Sequence, residues 1–431
     1  MKKQVSAKKT ALITTLGAAL EWFEFSLYGY LATYLSVLFF PNDVQSVALI
    51  TVFGIFAASY FMRPLGGFIL GSIGDRLGRR YAITLSIGLM SIPMFIMTVM
   101  PTYEQFGIGA VIILIIARML QGFSVGGEYT GVLILLAENA SQKYRGFATA
   151  LASTASQVGI ILSAVVVGIL STIFTRDEML QYGWRIAFLI GFIFALVSMF
   201  LQHTVRESPL FEEVKKSKKS LKNPLLSAFK GPKMPLVWVF ALTGYIGIAY
   251  YMMATFLPND FIETRHLDVN IVMLITVIVS VIYAVFSPLF GWFADLWGRK
   301  IMLNVPIILL LILAYPLFIW LNHGSMVEIL IAEGIFALLV AAMTASFQIT
   351  ISELFPTEYR YSGMSAAYNI GNALFAGTTP MISLLLVKLF MSKYAPCYYL
   401  IFASIITLIL IFEMPETRKS EHFKFEASSE S

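Results

Sequence analysis

The sequence predicts an all-α integral membrane protein, with twelve transmembrane helices in two pseudo-symmetric six-helix bundles. Three observations support this fold class: the composition, the number of apolar segments and an internal repeat. Of the 431 residues, 58% are hydrophobic and 13% are charged, and the mean hydropathy is +0.79. Soluble domains have about 45–50% apolar and about 25% charged residues. Because the ten-residue alternation of membrane barrels is absent, helices are the expected spanning structure.

Twelve apolar segments can be marked along the chain, each long enough to cross most or all of a bilayer as a helix. They are roughly 10–40, 45–71, 81–100, 107–137, 146–171, 184–203, 234–257, 269–290, 301–321, 326–352, 361–391 and 396–414. The first segment is too long for the apolar region of a cleavable signal peptide, so we expect it to remain as a helix. An even number of helices places both termini on one side.

Lysine and arginine indicate which side that is. The two termini and the alternate connections hold 23 of these residues, whereas the intervening loops hold three, namely Arg176, Arg265 and Lys393. Because positive residues stay in the cytoplasm, we expect both termini there. This role accounts for the net charge of +5 without a nucleic-acid partner. The long basic connection predicts an N-terminal bundle at 1–203, a linker at 204–233, a C-terminal bundle at 234–414 and a tail at 415–431.

Two spaced motifs recur in corresponding connections of the two halves. The first has Gly, Asp, Gly and two basic residues at Gly71, Asp75, Gly78, Arg79 and Arg80, and again at Gly291, Asp295, Gly298, Arg299 and Lys300. The second has Glu and Arg with one common spacing, at Glu138 and Arg145 and again at Glu353 and Arg360. The offset between the two copies is nearly the same for both motifs, which indicates that one half duplicates the other.

These motifs carry a family resemblance. The repeated Gly-Asp-Gly-Arg motif, and Arg118 to Gly122 in the fourth helix, resemble the major facilitator superfamily over the whole chain. Four further stretches resemble its metabolite:proton symporter family, and they are Glu21 to Gly29, Arg63 to Gly67, Gly126 to Glu128 and Arg206 to Pro209. Phe355 to Gly363 and Ala366 to Asn369 are most similar to the proline/betaine branch. Position 24 is usually Asp in that family and is Glu here, and the tail lacks a long coiled-coil extension.

The resemblance implies a monomeric, proton-coupled symporter of a bacterial inner membrane that works by alternating access. Its expected substrate is a small carboxylate-bearing metabolite, most of all a zwitterion such as proline or glycine betaine. Two alternatives stay open: a symporter of a di- or tricarboxylate such as α-ketoglutarate or citrate, and a membrane sensor that transports nothing. A second cation facing the cavity from the second half would favour the di- or tricarboxylate.

Charged residues within the first bundle are candidates for proton coupling. Charges at bilayer depth cost about 2.5–3.5 kcal/mol each on insertion scales, so they should face the protein interior. The candidates are Glu21, Glu24, Arg118 and Glu128. The resemblance implies that Glu24 lies opposite Arg118 and carries the proton, although a permanent ion pair between them is an alternative. The alternative to a coupling role for Glu21 is that of a polar structural residue. For Glu128 the alternative is a structural pairing with Arg63 or Tyr129.

Other polar and aromatic residues are candidates for binding the substrate. Arg63 suits a carboxylate, and tyrosine faces suit a substituted ammonium through cation–π contact. The predicted set is Arg63, Tyr28, Gln157, Tyr245, Tyr250, Tyr251, Gln348, Asn369 and Asn372. For Arg63 a structural ion pair is the alternative, and for each tyrosine it is ordinary packing.

The resemblance implies that charges at the cytoplasmic helix ends form a gate that closes the cavity, although a purely topogenic role is the alternative for the basic members. The predicted gate residues are Asp75, Arg76, Arg79, Glu138, Arg145, Asp295, Arg299, Glu353 and Arg360. Glu328 and Glu333 begin the tenth helix, where a solvated or dipole-stabilising role is expected. No cofactor or metal site is predicted, because nucleotide-binding loops, metal-ligand clusters and catalytic motifs are absent from the sequence. We therefore expect a protein that is not an enzyme.

Overall fold

The computed structural model describes residues 7–41, 43, 45–205, 207–208, 211–212, 224–263, 265–267 and 269–418. The described chain is helical, without a strand. Its twelve principal helices are α1 Ala7–Tyr30, α2 Gln45–Leu77, α3 Arg79–Val99, α4 Ile108–Asn139, α5 Arg145–Ile173, α6 Trp184–Gln202, α7 Met234–Tyr251, α8 Val269–Trp297, α9 Arg299–His323, α10 Met326–Glu353, α11 Arg360–Gly371 and α12 Ala395–Leu410.

Three of these helices have a further helical stretch at their C-terminal end. After α1 it is Ala32–Phe39; after α7 it is the π-helical turn Met252–Phe256 with Leu257–Glu263; after α11 it is the π-helical turn Asn372–Ala376 with Thr379–Phe390. Within the described residues, nine helical segments are long and apolar enough to cross a membrane by length and composition. The helices coincide with the predicted apolar segments to within a few residues at most ends.

The helices α2 and α8 continue past the predicted apolar segments into the repeated motif. Both helices stop immediately before a glycine, Gly78 or Gly298, whose φ angles are 119° and 107°. Residues other than glycine rarely adopt such backbone angles. The second glycine of the motif therefore breaks the helix and is not part of a longer loop. The motif therefore joins α2 to α3, and α8 to α9, through a single residue.

The helices pack as two bundles that meet along duplicated surfaces. In the first bundle α2 and α3 pack on α4, and α1 packs on α5; in the second, α8 and α9 pack on α10. The bundles touch mainly where α5 meets α8 and where α2 meets α11. We call the end that carries the α2–α3, α4–α5, α6–α7, α8–α9 and α10–α11 connections the basic end, and the opposite end the far end.

Two glycines on α4 allow α2 to approach closely at the centre of the first bundle. A Cβ atom at Gly122 would lie 2.0 Å from the carbonyl oxygen of Ser59, and one at Gly126 would lie 2.2 Å from that of Arg63. Small residues at helix contacts let backbones approach in membrane bundles. This contact fixes the height and rotation of Arg63 relative to α4.

Replacing Gly126 by alanine is expected to destabilise the protein, because the new methyl group overlaps a backbone atom that cannot rotate away. Overpacking of this kind costs about 1–3 kcal/mol, and more where backbone must move. The measurement is the thermal melting temperature of purified protein in detergent. Gly168→Ala is the matched control on α5, since a Cβ there meets no atom within 4 Å; equal melting temperatures for the two variants would contradict the prediction.

Candidate functional site

The two bundles enclose a central cavity of about 70 Å³. A water needs about 10–15 Å³ on this measure, so the cavity has room for several waters or a compact organic group. The side chains that line it come from α1, α2, α4 and α5 of the first bundle and α7, α8, α10 and α11 of the second. They are Trp22, Arg63, Tyr129, Ser153, Ser156, Gln157, Thr243, Ile246, Gly247, Tyr250, Tyr251, Tyr283, Thr344, Phe347, Gln348, Tyr368 and Asn372.

The cavity combines a single cation with a set of aromatic rings. Among the described residues that line it, Arg63 is the one charged side chain, and seven of the others are Trp, Tyr or Phe. The guanidinium carbon of Arg63 lies 4.0 Å from the ring centre of Tyr60 and 4.8 Å from that of Phe25. A buried guanidinium pairs well with a carboxylate, and aromatic faces attract a substituted ammonium. The arrangement therefore suits a small molecule that carries both groups.

Hydrogen bonds cross the cavity from one bundle to the other. The Nε2 of Gln348 donates to the hydroxyl oxygens of Tyr129 and Ser153, both at 2.6 Å. The Nε2 of Gln157 donates to the hydroxyl of Tyr250 at 3.0 Å. These bonds hold the cavity walls together in this conformation, and each must break if the bundles move apart.

The cavity walls obey the same internal duplication as the sequence motifs. The offset between the two copies of the first motif also relates Arg63 to Tyr283, and both line the cavity. The offset of the second motif relates three further pairs of lining residues, which are Tyr129 and Thr344, Ser153 and Tyr368, and Gln157 and Asn372. Equivalent positions thus face the same space from both bundles, but the charge is on the first bundle alone.

Six of the nine residues predicted to bind substrate line this cavity, and their role as ligands stays a prediction. They are Arg63, Gln157, Tyr250, Tyr251, Gln348 and Asn372. Tyr245, Tyr28 and Asn369 do not line it, which corrects their expected placement. The hydroxyl of Tyr245 accepts from Ser404 at 3.0 Å, and that of Tyr28 donates to the carbonyl of Val52 at 3.1 Å. Asn369 donates to the carbonyl of Gly126 at 2.6 Å and joins α11 to α4.

Several lining residues were not among the predicted substrate ligands. Tyr283 and Thr344 could have been found by applying the repeat offsets to Arg63 and Tyr129, because duplicated helices face the same cavity. Trp22 is adjacent to the candidate acid pair of α1, but nothing in its spacing separates it from the other tryptophans. Its edge packs against the ring of Tyr129, with centroids 6.3 Å apart.

Arg118 is buried on α4, outside the set of residues that lines the cavity. It donates a hydrogen bond to the Oε1 of Gln121, and its guanidinium carbon lies 4.1 Å from the ring centre of Tyr28. Within the described residues it forms no ion pair in this conformation, because Gln121, one helical turn away, and the tyrosine ring of α1 contact the guanidinium. Its Nε and Nη2 have no hydrogen-bond partner among the described residues. The expected opposition to Glu24 stays a prediction.

The three acidic candidates lie on the same bundle as Arg118. Glu24 and Glu128 are buried, with 2% and 1% of their surface exposed. The Cγ of Glu24 lies 3.7 Å from the position a Cβ would take on Gly191 of α6. Glu21 lies on α1, but its side chain is outside the described set. The roles of all four residues in proton coupling stay predictions.

Two aspartates of the predicted gate bind the opposite bundle at the basic end. The carboxylate of Asp75 accepts from the backbone N–H groups of Tyr361 and Ser362, at 3.2 and 2.8 Å, in the first turn of α11. The carboxylate of Asp295 accepts from the N–H groups of Gly146 and Phe147, at 2.8 and 3.0 Å, in the first turn of α5. Each aspartate satisfies free N–H groups and the positive end of a helix dipole in the other bundle.

Ion pairs add to this closure of the basic end. Arg79 pairs with Asp75 at 3.0 Å and with Glu138 at 3.4 Å, and Glu138 also pairs with Arg360 of the second bundle. In the duplicated set, Arg299 pairs with Asp295 at 2.9 Å and with Glu353 at 3.1 Å. Arg145 interacts electrostatically with Glu353. Arg76 differs from the other predicted gate residues because its side chain is exposed.

Two further glutamates, which were not predicted, close the starts of α3 and α9. The carboxylate of Glu207 accepts from the N–H of Arg79 at 3.0 Å, and that of Glu416 accepts from the N–H of Arg299 at 2.9 Å. Each is followed by a hydroxyl residue, Ser208 or Thr417, that bonds to the gate acid of its own bundle, Glu138 or Glu353. The signal in the sequence is the short Glu-Ser or Glu-Thr pair after the sixth and twelfth helices.

Replacing Asp75 by alanine is expected to shift the protein towards conformations that are open at the basic end. The change removes two charge-assisted hydrogen bonds between the bundles, each worth about 1.5–3 kcal/mol. The measurement is the spin-label distance between Tyr144→Cys and Trp297→Cys, two exposed sites at the basic end of opposite bundles. A Cys397→Ser background removes the natural thiol. Longer distances are expected in Asp75→Ala but not in Asp177→Ala at the far end, and unchanged distances in both would contradict the prediction.

Comparison with known proteins places these features in a family. The model named "Sugar (and other) transporter" matches residues 10–235, and the model named "Major Facilitator Superfamily" matches residues 239–429. The chain is 33% identical over 422 residues to the glycine betaine/proline/ectoine/pipecolic acid transporter OusA of Dickeya dadantii, covering 95% of this chain and 83% of that protein. It is also 33% identical over 424 residues to the proline/betaine transporter of Escherichia coli strain K12, covering 95% and 84%.

Solved structures share the fold at low sequence identity. The proton:xylose symporter XylE bound to 6-bromo-6-deoxy-D-glucose has a TM-score of 0.82 at 20% identity, covering 96% of this chain and 98% of that one. The human organic anion transporter MFSD10 has a TM-score of 0.69 at 14% identity, covering 95% and 99%. The names of these relatives are those of transporters and not of enzymes. The chain therefore belongs to the major facilitator superfamily, in the family that contains the proline/betaine transporters.

Proposed function

We propose that this secondary transporter is a proton-coupled symporter that imports a small zwitterionic carboxylate such as proline or glycine betaine. The observation that carries the proposal is the central cavity, where Arg63 is the single charged lining residue among the described ones and faces seven aromatic rings. The guanidinium would pair with the carboxylate, and rings of the second bundle such as Tyr250 and Tyr368 would surround the ammonium. The printed names of the two relatives at 33% identity support this substrate class.

The cavity gives less support to a di- or tricarboxylate substrate. Such a molecule would place two or three negative charges in a buried site, and each uncompensated charge there is costly. The side chains that the second bundle contributes to the cavity, among the described residues, are aromatic, hydroxyl, amide or aliphatic. A second cation in that set would have favoured α-ketoglutarate or citrate.

Proton coupling would use the buried charges next to the cavity. Arg118 is 1% exposed, and two of its nitrogens have no hydrogen-bond partner among the described residues. A buried cation of this kind is stabilised when a nearby carboxylate loses its proton and destabilised when that carboxylate is neutral. Glu24, one turn before Tyr28 on α1, is the carboxylate that we propose to carry the proton. Glu128 would contribute to the same field from α4.

The proposed orientation places the basic end in the cytoplasm of a bacterium, with the protein as a monomer in the inner membrane. The distribution of lysine and arginine supports it. In that orientation the ion pairs and helix caps at the basic end close the cytoplasmic side. Import would then require the bundles to rock about the central cavity, with the gate open in one state and closed in the other.

Uptake by purified protein in liposomes is the experiment that tests the proposal. With an imposed inward proton gradient, labelled proline or glycine betaine is expected to accumulate above its external concentration, and a proton ionophore should abolish the accumulation. Accumulation of α-ketoglutarate or citrate instead would support the second candidate. If none of these solutes moves, and no protons move with them, the proposal that the protein is a transporter is wrong. A membrane sensor that transports nothing would then be the remaining alternative.

A further inference from the structure

A second cavity lies at the far end, between the last turns of α1 and α5. It measures about 380 Å³. Tyr30, Thr33 and Tyr34 line it from the α1 side, Ser171 and Phe174 from the α5 side, and Arg176 from the following connection. The hydroxyls of Tyr34 and Ser171 are 3.5 Å apart, so the two helix ends meet at the cavity wall.

The chemistry of this far-end cavity repeats that of the central one. It offers one guanidinium, from Arg176, beside the rings of Tyr30, Tyr34 and Phe174. The side chain of Arg176 forms no hydrogen bond or ion pair with the described residues, and the nearby carboxylate of Glu178 accepts instead from the backbone N–H and hydroxyl of Thr175, at 2.8 and 2.9 Å. The cation is therefore available to an anionic group from solution.

One tyrosine of the far-end cavity interacts with a tyrosine of the central cavity. Tyr30 lines the first, and Tyr250 lines the second. The two phenol groups are near enough to interact electrostatically. This interaction relates the two cavities.

We propose that the far-end cavity is an entry site for the same zwitterionic carboxylate, with Arg176 pairing with the carboxylate and Tyr30 and Tyr34 contacting the ammonium. This inference rests on the proposed function and adds a second, more exposed binding step before the central one. Because Arg176 is exposed to solvent, its pairing with a carboxylate is weak and screened by salt. The entry site should therefore raise the capture rate at low substrate concentration without limiting the maximal rate.

The test compares the concentration dependence of labelled betaine uptake in liposomes for the wild type and three variants. Arg176→Gln is expected to raise KM about three- to tenfold at low salt while Vmax is retained, corresponding to the loss of one partly screened charge contact. Lys393→Gln is the matched control, since it removes another far-end cation away from both cavities, and its KM should equal that of the wild type. Arg176→Lys should restore much of the lost affinity.

The outcomes separate this inference from the proposed function. If the wild type takes up betaine and Arg176→Gln has the same KM, the entry site is wrong and the proposed function stands. An equal rise of KM in Arg176→Gln and Lys393→Gln would also overturn it, because the effect would then come from surface charge in general. If the wild type takes up no zwitterion, the proposed function fails and the entry site with it.

Discussion

Replacing Arg63 by glutamine is expected to weaken binding and uptake of proline and glycine betaine by about 30-fold or more. The substrate carboxylate would lose its charged partner in a buried cavity, and truncating one member of a buried charge pair costs about 2–5 kcal/mol. The measurements are equilibrium binding of labelled substrate to purified protein and uptake into liposomes. Arg63→Lys should retain part of the affinity, because a lysine keeps the charge but loses the paired geometry.

Two comparisons distinguish the loss of carboxylate recognition from a non-specific loss of protein function in the variant. Choline resembles betaine in its quaternary ammonium but lacks the carboxylate, so the wild type should prefer betaine strongly and Arg63→Gln should bind both about equally. Lys388→Gln removes an exposed cation near the end of the Thr379–Phe390 segment, away from the cavity, and should leave uptake unchanged. If Arg63→Gln folds and still prefers betaine as the wild type does, Arg63 does not bind the carboxylate.

The internal duplication explains why much of this site could be predicted from sequence. The spacing of charged residues in two connections identified the repeat, and the same offsets connect cavity residues that share no chemistry, such as Arg63 and Tyr283. A charge within an apolar segment is also a strong signal, because burial of that charge is costly unless it has a purpose. Arg63 has both features: it is a charge within an apolar segment, and the repeat offset relates it to another cavity residue.

The partners of individual side chains could not be predicted in the same way. Tyr245 and Asn369 look like cavity residues in the sequence, but each forms a hydrogen bond that joins helices elsewhere. The rotation of a helix by one residue changes which face meets the cavity by about 100°, and sequence alone does not fix that rotation. Arg118 shows the same limit, since its contacts with Gln121 and Tyr28 could not be predicted from the sequence.

The residues of the gate could be predicted from the sequence better than the hydrogen bonds that they form. The motif spacing identified Asp75 and Asp295 as charged residues at helix ends, where an ion pair with the neighbouring arginine is the expected partner. The structure adds that each carboxylate also accepts hydrogen bonds from the first turn of a helix in the opposite bundle. Because the interaction runs in both directions across the interface, both bundles contribute equivalent bonds to closure. Opening must break both sets together.

Glu333 is the acid for which the sequence expectation is wrong. A solvated position near the start of α10 was expected, and Glu328 does have one, where it accepts from Ser325 in a capping box. Glu333, further along the same helix, is instead 2% exposed, and its Oε2 has no hydrogen-bond partner among the described residues. The offset of the second motif takes Arg118 to Glu333, so the duplicated helices carry buried charges of opposite sign at equivalent positions. Because Glu333 is a buried acid with the same exposed fraction as Glu24, it is a matched comparison for that residue.

Replacing Glu24 by glutamine is expected to abolish accumulation driven by a proton gradient while exchange of substrate persists. Glutamine keeps the size and one hydrogen-bonding oxygen of the acid but cannot take up or release a proton. For one proton per substrate, a gradient of about one pH unit should drive about tenfold accumulation in the wild type. In Glu24→Gln the ratio of internal to external substrate should fall to about one. Exchange of labelled for unlabelled betaine should continue, since the substrate site and the rocking motion do not need the proton.

The comparison with Glu333→Gln decides whether burial or position gives Glu24 its role. Both acids are 2% exposed and both lie on helices that contribute to the cavity walls, but Glu333 belongs to the second bundle. If coupling depends on the field that Arg118 experiences, Glu333→Gln should accumulate substrate as the wild type does. Loss of accumulation in Glu333→Gln with full accumulation in Glu24→Gln would move the proton to the second bundle. Loss in both would indicate that one buried acid of each bundle shares the coupling.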